Sequence, residues 1–175
     1  MTAIRRCLLV LALLLLGLAE LRRHAAERSL YRAVGLAQLL SSHATGFSPG
    51  VVVDRVDALT KDAARGLPGD PRPAMARGEA HLAAGHAAEA QQAYLEALVL
   101  VERTDALVGL GRAELLAGRA APARAAFMRA AWISPSVLPA IPDAERSFVQ
   151  AEVLRQERLL LAGRLVSVTA LPYGP

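Results

Sequence analysis

Four histidines and one cysteine are the side chains of this 175-residue chain best suited to holding a metal or acting as a nucleophile or base. His81 and His86 stand five apart with Gly85 between them. Two ligands share a helical face at the i, i+4 step of H-E-x-x-H, so this spacing fits neither that site nor a zinc finger. The two read as surface residues around a turn. Cys7 is alone, which excludes an intrachain disulfide and a cysteine-based metal cluster. It precedes an apolar run instead of closing it, unlike a lipoprotein cleavage cysteine. No P-loop, dinucleotide glycine fingerprint or nucleophile elbow occurs. GLGRAE, residues 109 to 114, looks like a glycine loop but lies inside a helical pattern with no strand before it. Glu79 and Glu89 read as solvated helix faces. No catalytic residue, metal, cofactor or small-molecule substrate is expected, and the chain reads as non-enzymatic.

The elements that would carry any site are helices. Alanine supplies 36 of the 175 residues and aromatics only 4%, a composition that favours helix and gives a sheet little to build with. An all-α fold with thin layers between closely approaching helices follows. The net charge of +4 resides in residues 1 to 32, where six arginines meet two glutamates, and the remaining segments balance. A nucleic-acid binder needs its basic stripe on the folded surface, so nucleic acid is not an expected partner.

Residues 5 to 23 read RRCLLVLALLLLGLAELRR. The uncharged run Cys7 to Ala19 is too short to span a hydrocarbon core of about 30 Å. Counting from Ile4 to Leu21, with Arg5 and Arg6 snorkelling, gives a helix of roughly 27 Å, enough with slight thinning of the bilayer. Residues 1–21 are therefore read as a single-pass anchor in a bacterial inner (cytoplasmic) membrane, touching the bilayer through residues 4–21. The alternative is a cleaved signal, with Gly17-Leu18-Ala19 as its small-x-small site, leaving a secreted or periplasmic module. Two basic residues precede the run and four follow it (Arg22, Arg23, Arg28, Arg32), which by itself favours a cytoplasmic body. Signal-like N-termini of this kind usually stay inside and export the remainder, and an extracytoplasmic body is the expectation.

Residues 22–48 read as a helical linker and turn. Leu21, Ala25, Val34, Leu36 and Leu40 are among the linker's apolar positions, and HATGFSPG, residues 43 to 50, is turn chemistry. Ser48 is a candidate N-cap and Pro49 a first helical residue. The following helix has a stripe at Val52, Val56, Leu59 and Ala63, and GLPGDP ends it. GEAHLAAGHAAEAQQAYLEALVLVE, residues 78 to 102, then matches GRAELLAGRAAPARAAFMRAAWISP, residues 111 to 135, at ten of 25 positions without a gap. Each copy reads as two helices around a tight turn, with Gly85 and Gly118 at the left-handed C′ position. Gly78 with Ala90, and Gly111 with Ala123, allow close approach, while Tyr94 and Phe127 supply the wedge. Prolines break the pattern over residues 135 to 143. A last helix of about 20 residues points its apolar side chains in more than one direction, and the tail 164–175 reads as an extended end.

The paired copies resemble tetratricopeptide repeats, helix–turn–helix units of 34 residues that stack into solenoids. Leu107, Leu110, Gly111, Ala123, Phe127, Ala130 and Pro135 fall on that pattern, with Glu114 in place of an aromatic. In the first copy Gly78, Ala90, Tyr94 and Ala97 match, Ala74, Arg77 and His81 depart, and Glu102 stands where the proline would be. The resemblance implies a short helical-hairpin domain over residues 49–163, with repeats at about 71–103 and 104–137 and a capping helix at 143–162. Such repeats cannot stand alone, because each leaves an apolar face for a neighbour. In the family the first helix of each repeat lines a concave protein-binding groove. Carried over, those positions are Arg72, Met75, Glu79 and Leu82, then Asp105, Val108, Arg112 and Leu115. The family's carboxylate clamp is not reproduced, since Met75 and Glu79 occupy two of its places. The mixture suits a segment of another protein, unless Arg72, Glu79, Asp105 and Arg112 merely pair with one another. The expected function is that of a membrane-tethered scaffold binding a component of an envelope or membrane complex; the alternative is a permanent accessory subunit of such a complex.

Overall fold

The computed structural model describes residues 2–42, 44, 46 and 48–164. The extended tail expected over 164–175 therefore lies almost wholly outside the described residues, as does part of the turn HATGFSPG. Among the described residues the chain is all-helical: α1 Thr2–Ser41, α2 Pro49–Gly66, α3 Arg72–Ala83, α4 Ala87–Leu100, α5 Thr104–Leu116, α6 Ala120–Ile133, a 3-10 helix Pro135–Ala140, and α7 Asp143–Leu161.

Residues 22–41, read from the sequence as a linker, are the second half of the 40-residue helix α1 and belong to the core. Their buried stripe is Ala26, Leu30, Ala33, Ala37 and Leu40, alternating four- and three-residue steps. This is one face of a helix. Leu21 and Ala25 are exposed instead, and Val34 and Leu36 are half-buried. Small residues bring α1 and α2 together: a methyl on Gly66 would lie 2.5 Å from Ala26 Cβ. Val52, Val56, Leu59 and Ala63 form the buried stripe of α2, as their spacing predicts. Pro49 opens that helix, while the Ser48 side chain makes no capping bond. Burying a side chain such as Val56 or Leu59 stabilises the fold by about 1.5–3 kcal/mol each.

Three successive pairs follow, α1 with α2, α3 with α4 and α5 with α6, and adjacent pairs also touch. Gly85 and Gly118 have φ of +82° and +75° and close α3 and α5. At each turn the next amide reaches back a full turn, His86 N to the His81 carbonyl at 2.9 Å and Arg119 N to the Glu114 carbonyl at 2.8 Å. That is the Schellman arrangement, which needs the left-handed glycine. The wedges sit as their spacing implies: a methyl on Gly78 would meet the Tyr94 ring at 3.0 Å, and one on Gly111 would meet Phe127 at 2.4 Å. At the far end α7 packs on α6 and the 3-10 helix. It buries Val149 and Glu145 but leaves Phe148, Leu154, Leu160 and Leu161 exposed.

Candidate binding groove

Helices α1, α3 and α5 lie in sequence across one face, α1 against α3 and α3 against α5. Two hollows open there. One, of about 430 Å³, is walled by Val34, Ala37 and Gln38 of α1, by Arg72, Met75, Ala76 and Glu79 of α3, and by Tyr94, Arg103 and Asp105. The other, of about 300 Å³, runs along α5 past Val108, Gly109 and Arg112 to Val137 and Ala140. Glu79, Tyr94 and Asp105 line both, so the two hollows meet at those side chains.

Tyr94 is the residue that joins them. It belongs to α4, behind the groove, and its ring passes between two glycines. A methyl on Gly109 would fall 2.2 Å from it, closer than any real contact, and one on Gly78 at 3.0 Å. The absent side chains of Gly78 and Gly109 let the hydroxyl reach through, where it donates to Glu79 Oε2 at 3.1 Å. Burial first, and the Glu79 charge second, push the Tyr94 hydroxyl well above its ordinary pKa. A buried neutral hydroxyl beside a carboxylate is a fixed donor. Glu79 is thus half-buried and hydrogen-bonded, which corrects its reading as part of a solvated face.

The other charges are held by neighbours. Arg72 pairs with Asp70 at 2.6 Å and with Glu27 of α1 at 2.8 Å. Arg103 pairs with Asp105 at 2.8 Å, and Arg112 donates to the Ala140 carbonyl at 2.7 Å. Arg72, Glu79, Asp105 and Arg112 therefore do not pair among themselves. Exposed pairs of this sort contribute about 0–1 kcal/mol, so they shape the groove more than they hold the fold.

Six of the eight positions singled out from sequence line the hollows: Arg72, Met75, Glu79, Asp105, Val108 and Arg112. Leu82 and Leu115 pack against interior clusters instead, and Val108 is itself 4% exposed. The apolar floor is then Met75 with Val34 and Ala37 of α1. Sequence reasoning missed α1 and Tyr94 as contributors. The four-three spacing of Ala26 to Leu40 was the signal for the first, and Gly109 opposite an aromatic was the signal for the second.

The histidines also need correction. His81 is buried, not a surface residue, while His86 is exposed. His81 Nε2 lies 3.2 Å from Asp57 Oδ1 of α2, and its Nδ1 lies 3.3 Å from His86 Nδ1. The Asp57 oxygen is buried and not aligned for a hydrogen bond. Thirty-three residues on, Glu114 occupies the same place. It is 1% exposed, accepts from Gln91 Nε2 at 2.9 Å and pairs with Arg119 at 2.5 Å, and Arg119 closes the ring on Gln91 at 2.8 Å. Among the described residues no group of three or more His, Cys, Asp or Glu could hold a metal ion.

Comparison with family models, with curated proteins and with solved structures finds no match. A functional reading therefore rests on the groove and on the exposed surface. The largest apolar exposure is on α1, where Leu9, Leu11, Leu13 to Leu16, Leu18 and Leu21 are each more than half exposed. Among the described residues no helix is long and apolar enough to cross a membrane, so the single-pass span expected over residues 4–21 finds no support in α1.

Proposed function

We propose that this chain is a non-enzymatic, tetratricopeptide-like scaffold that holds a segment of another protein in the α1–α3–α5 groove. The Leu-rich end of α1 keeps it at a membrane while it assembles an envelope or membrane complex. The observation that carries the groove reading is the junction at Tyr94. A buried donor, a carboxylate and half-buried apolar side chains meet in one concavity, which is the mixture that orients an amphipathic segment of protein. Support for the repeat resemblance comes from the recurrence of the turn glycine, the glycine–aromatic wedge and the buried polar residue at matching places in α3–α4 and α5–α6.

The tether reading is supported by the uncovered leucines. Moving one leucine from water into hydrocarbon is worth about 1.5–3 kcal/mol, and eight of them lie between Leu9 and Leu21 with nothing packed on them. Confinement to a membrane raises the effective concentration of a partner held there. A permanent accessory subunit is the second reading, favoured by the exposed Phe148, Leu154, Leu160 and Leu161 on α7.

The test is crosslinking capture from native membranes, comparing the natural chain with Glu79→Lys combined with Asp105→Lys. Both side chains line the groove outside the core. The double variant is expected to keep its helical circular dichroism and lose the captured protein. Undiminished capture by a folded variant would overturn the groove assignment. Mild-detergent purification separates the two readings: a stoichiometric companion marks a subunit, and exchangeable, substoichiometric ones mark a scaffold.

A further inference from the structure

We infer that the base of the Leu-rich part of α1 is a collar for anionic phospholipid headgroups, built from Arg22, Arg23, Arg28 and, at its far edge, Arg32. The inference rests on the tether reading above and names the lipid class that the tether meets. What points to it is the state of the arginines. In the hairpins they are held by partners: Arg77 by Glu96, Arg119 by Glu114, Arg124 by Glu145, Arg129 by Glu102. Among the described residues the collar arginines have no ion pair or hydrogen bond, and all four are exposed. Arg55, Lys61 and Arg164 are likewise without one, but none of them lines the hollows beside the collar.

The acids in reach do not neutralise the collar. Glu27 is occupied by Arg72 at 2.8 Å. Among the described residues Glu20, three residues before Arg23, makes no ion pair or hydrogen bond, and Asp62, which shares a hollow with Arg22, is paired with Arg65 at 2.9 Å. His24, Arg28 and Arg32 line one hollow on α1 together with Tyr31 and the Glu27 held by Arg72, and Arg22 lines another beside Gly66. Positive side chains thus follow the leucines on several sides of the helix over about its next three turns. Helical side chains lean toward the N-terminus, here toward the leucines and the bilayer. Arg22 and Arg23 follow Leu21 directly, Arg28 begins about 10 Å beyond it and Arg32 about 16 Å. A surface charge is felt over roughly 8–10 Å at physiological salt, so attraction falls in that order.

The test is flotation of the full chain with vesicles of phosphatidylcholine alone or mixed with phosphatidylglycerol. The chain is expected to float with both and to partition more strongly onto the mixture, with a preference that shrinks as salt rises. An arginine close to the surface multiplies that partitioning by about five and Arg28, farther out, by less, so Arg22→Gln, Arg23→Gln and Arg28→Gln together should remove a preference of roughly thirtyfold to a hundredfold. The triple variant should still float with phosphatidylcholine. Arg32→Gln alone should change the preference least. Equal partitioning of the natural chain on both vesicles, or a preference that survives the triple variant, overturns the collar while leaving the tether standing. A chain that floats with neither overturns the tether, and the collar with it.

Discussion

The two hairpins α3–α4 and α5–α6 solve one packing problem with different chemistry. Each sets an aromatic ring against a glycine, Tyr94 on Gly78 and Phe127 on Gly111. Each buries a polar side chain three residues beyond that glycine and ties it both to the preceding hairpin and to the residue five places on. In the second hairpin these devices are sealed: Phe127 is wholly buried, and Glu114, Gln91 and Arg119 form a closed ring. In the first they are open. The buried Tyr94 hydroxyl bonds the groove-lining Glu79, and His81 faces a poorly aligned Asp57 and an exposed His86. The second hairpin closes its polar contacts on itself, and the first, which abuts α1, leaves its own at the wall of the groove.

The largest effect should come from removing the sealed wedge. Phe127→Ala should cost about 3–5 kcal/mol, the usual range for an aromatic taken from a close-packed core. Tyr94→Phe keeps the ring and loses only the bond to Glu79, so about 1 kcal/mol is expected. Urea unfolding of both variants checks this, and equal losses would show that the Tyr94 hydroxyl matters as much as the whole Phe127 ring.

The polar devices should differ in the same sense. Arg119→Ala leaves the Glu114 carboxylate buried with Gln91 alone. Breaking a fully buried pair costs about 3–5 kcal/mol, but Arg119 is half exposed, so about 2–3 kcal/mol is expected. His86→Ala removes an exposed neighbour of His81 and should cost less than about 1 kcal/mol. If His86→Ala proves the more damaging in thermal unfolding, the first device is structural and the contrast fails.

What could be read from sequence was whatever had a period or a turn. The stripe of α2, the glycines at 85 and 118 and the glycine–aromatic wedges are each spacing rules, and each falls where its rule puts it. The role of α1 was hidden by residue type. Its buried positions include Ala26, Ala33 and Ala37, because helices that approach this closely leave room for little else, while the conspicuous Leu21 faces out. His81 was hidden by its neighbour in sequence: beside His86 it suggests a surface turn, whereas its alignment with Glu114 marks it as an inward position. Of the positions that the repeat resemblance implied on α3 and α5, six line the two hollows. The resemblance could not say that Leu82 and Leu115 turn into the core, since that depends on how α4 and α6 lean on them.

Alkaline titration separates the wedges by another route. The pKa of Tyr94 is raised in the folded chain by burial and by Glu79, whereas an unfolded tyrosine ionises near pH 10. Below that the folded state has its full benefit. Above it the unfolded chain loses a proton that the folded chain keeps, so stability falls as pH rises, by up to about 1.4 kcal/mol per pH unit. Tyr94→Phe should be free of this term, and its unfolding free energy should cross that of the natural chain at alkaline pH. Parallel curves above pH 10 would mean that the hydroxyl is not buried in solution.

The smallest expected difference lies at the helix entries. Asp70 precedes α3 and accepts from the Arg72 backbone N at 2.9 Å as well as from its guanidinium, while Asp105 opens α5 paired with Arg103. The pKa of Asp70 is held below the usual carboxylate value chiefly by Arg72, against a contribution from burial, and that of Asp105 chiefly by Arg103. Depressed values in the folded state mean a stabilisation that is complete above the unfolded pKa near 3.9 and lost as pH falls through the folded value. Asp105 is half exposed, so Asp105→Asn should cost no more than about 0.5 kcal/mol at neutral pH. Asp70, less exposed and bonded twice to the Arg72 guanidinium, should cost about 1 kcal/mol when changed to Asn, which keeps an acceptor for the Arg72 backbone N but loses the charge. Both variants should converge on the natural chain once the pH has fallen through the depressed folded values, where the carboxyl groups are neutral. A gap that persists there belongs to packing, and it would show that the first hairpin depends on Asp70 for its shape and not for its charge.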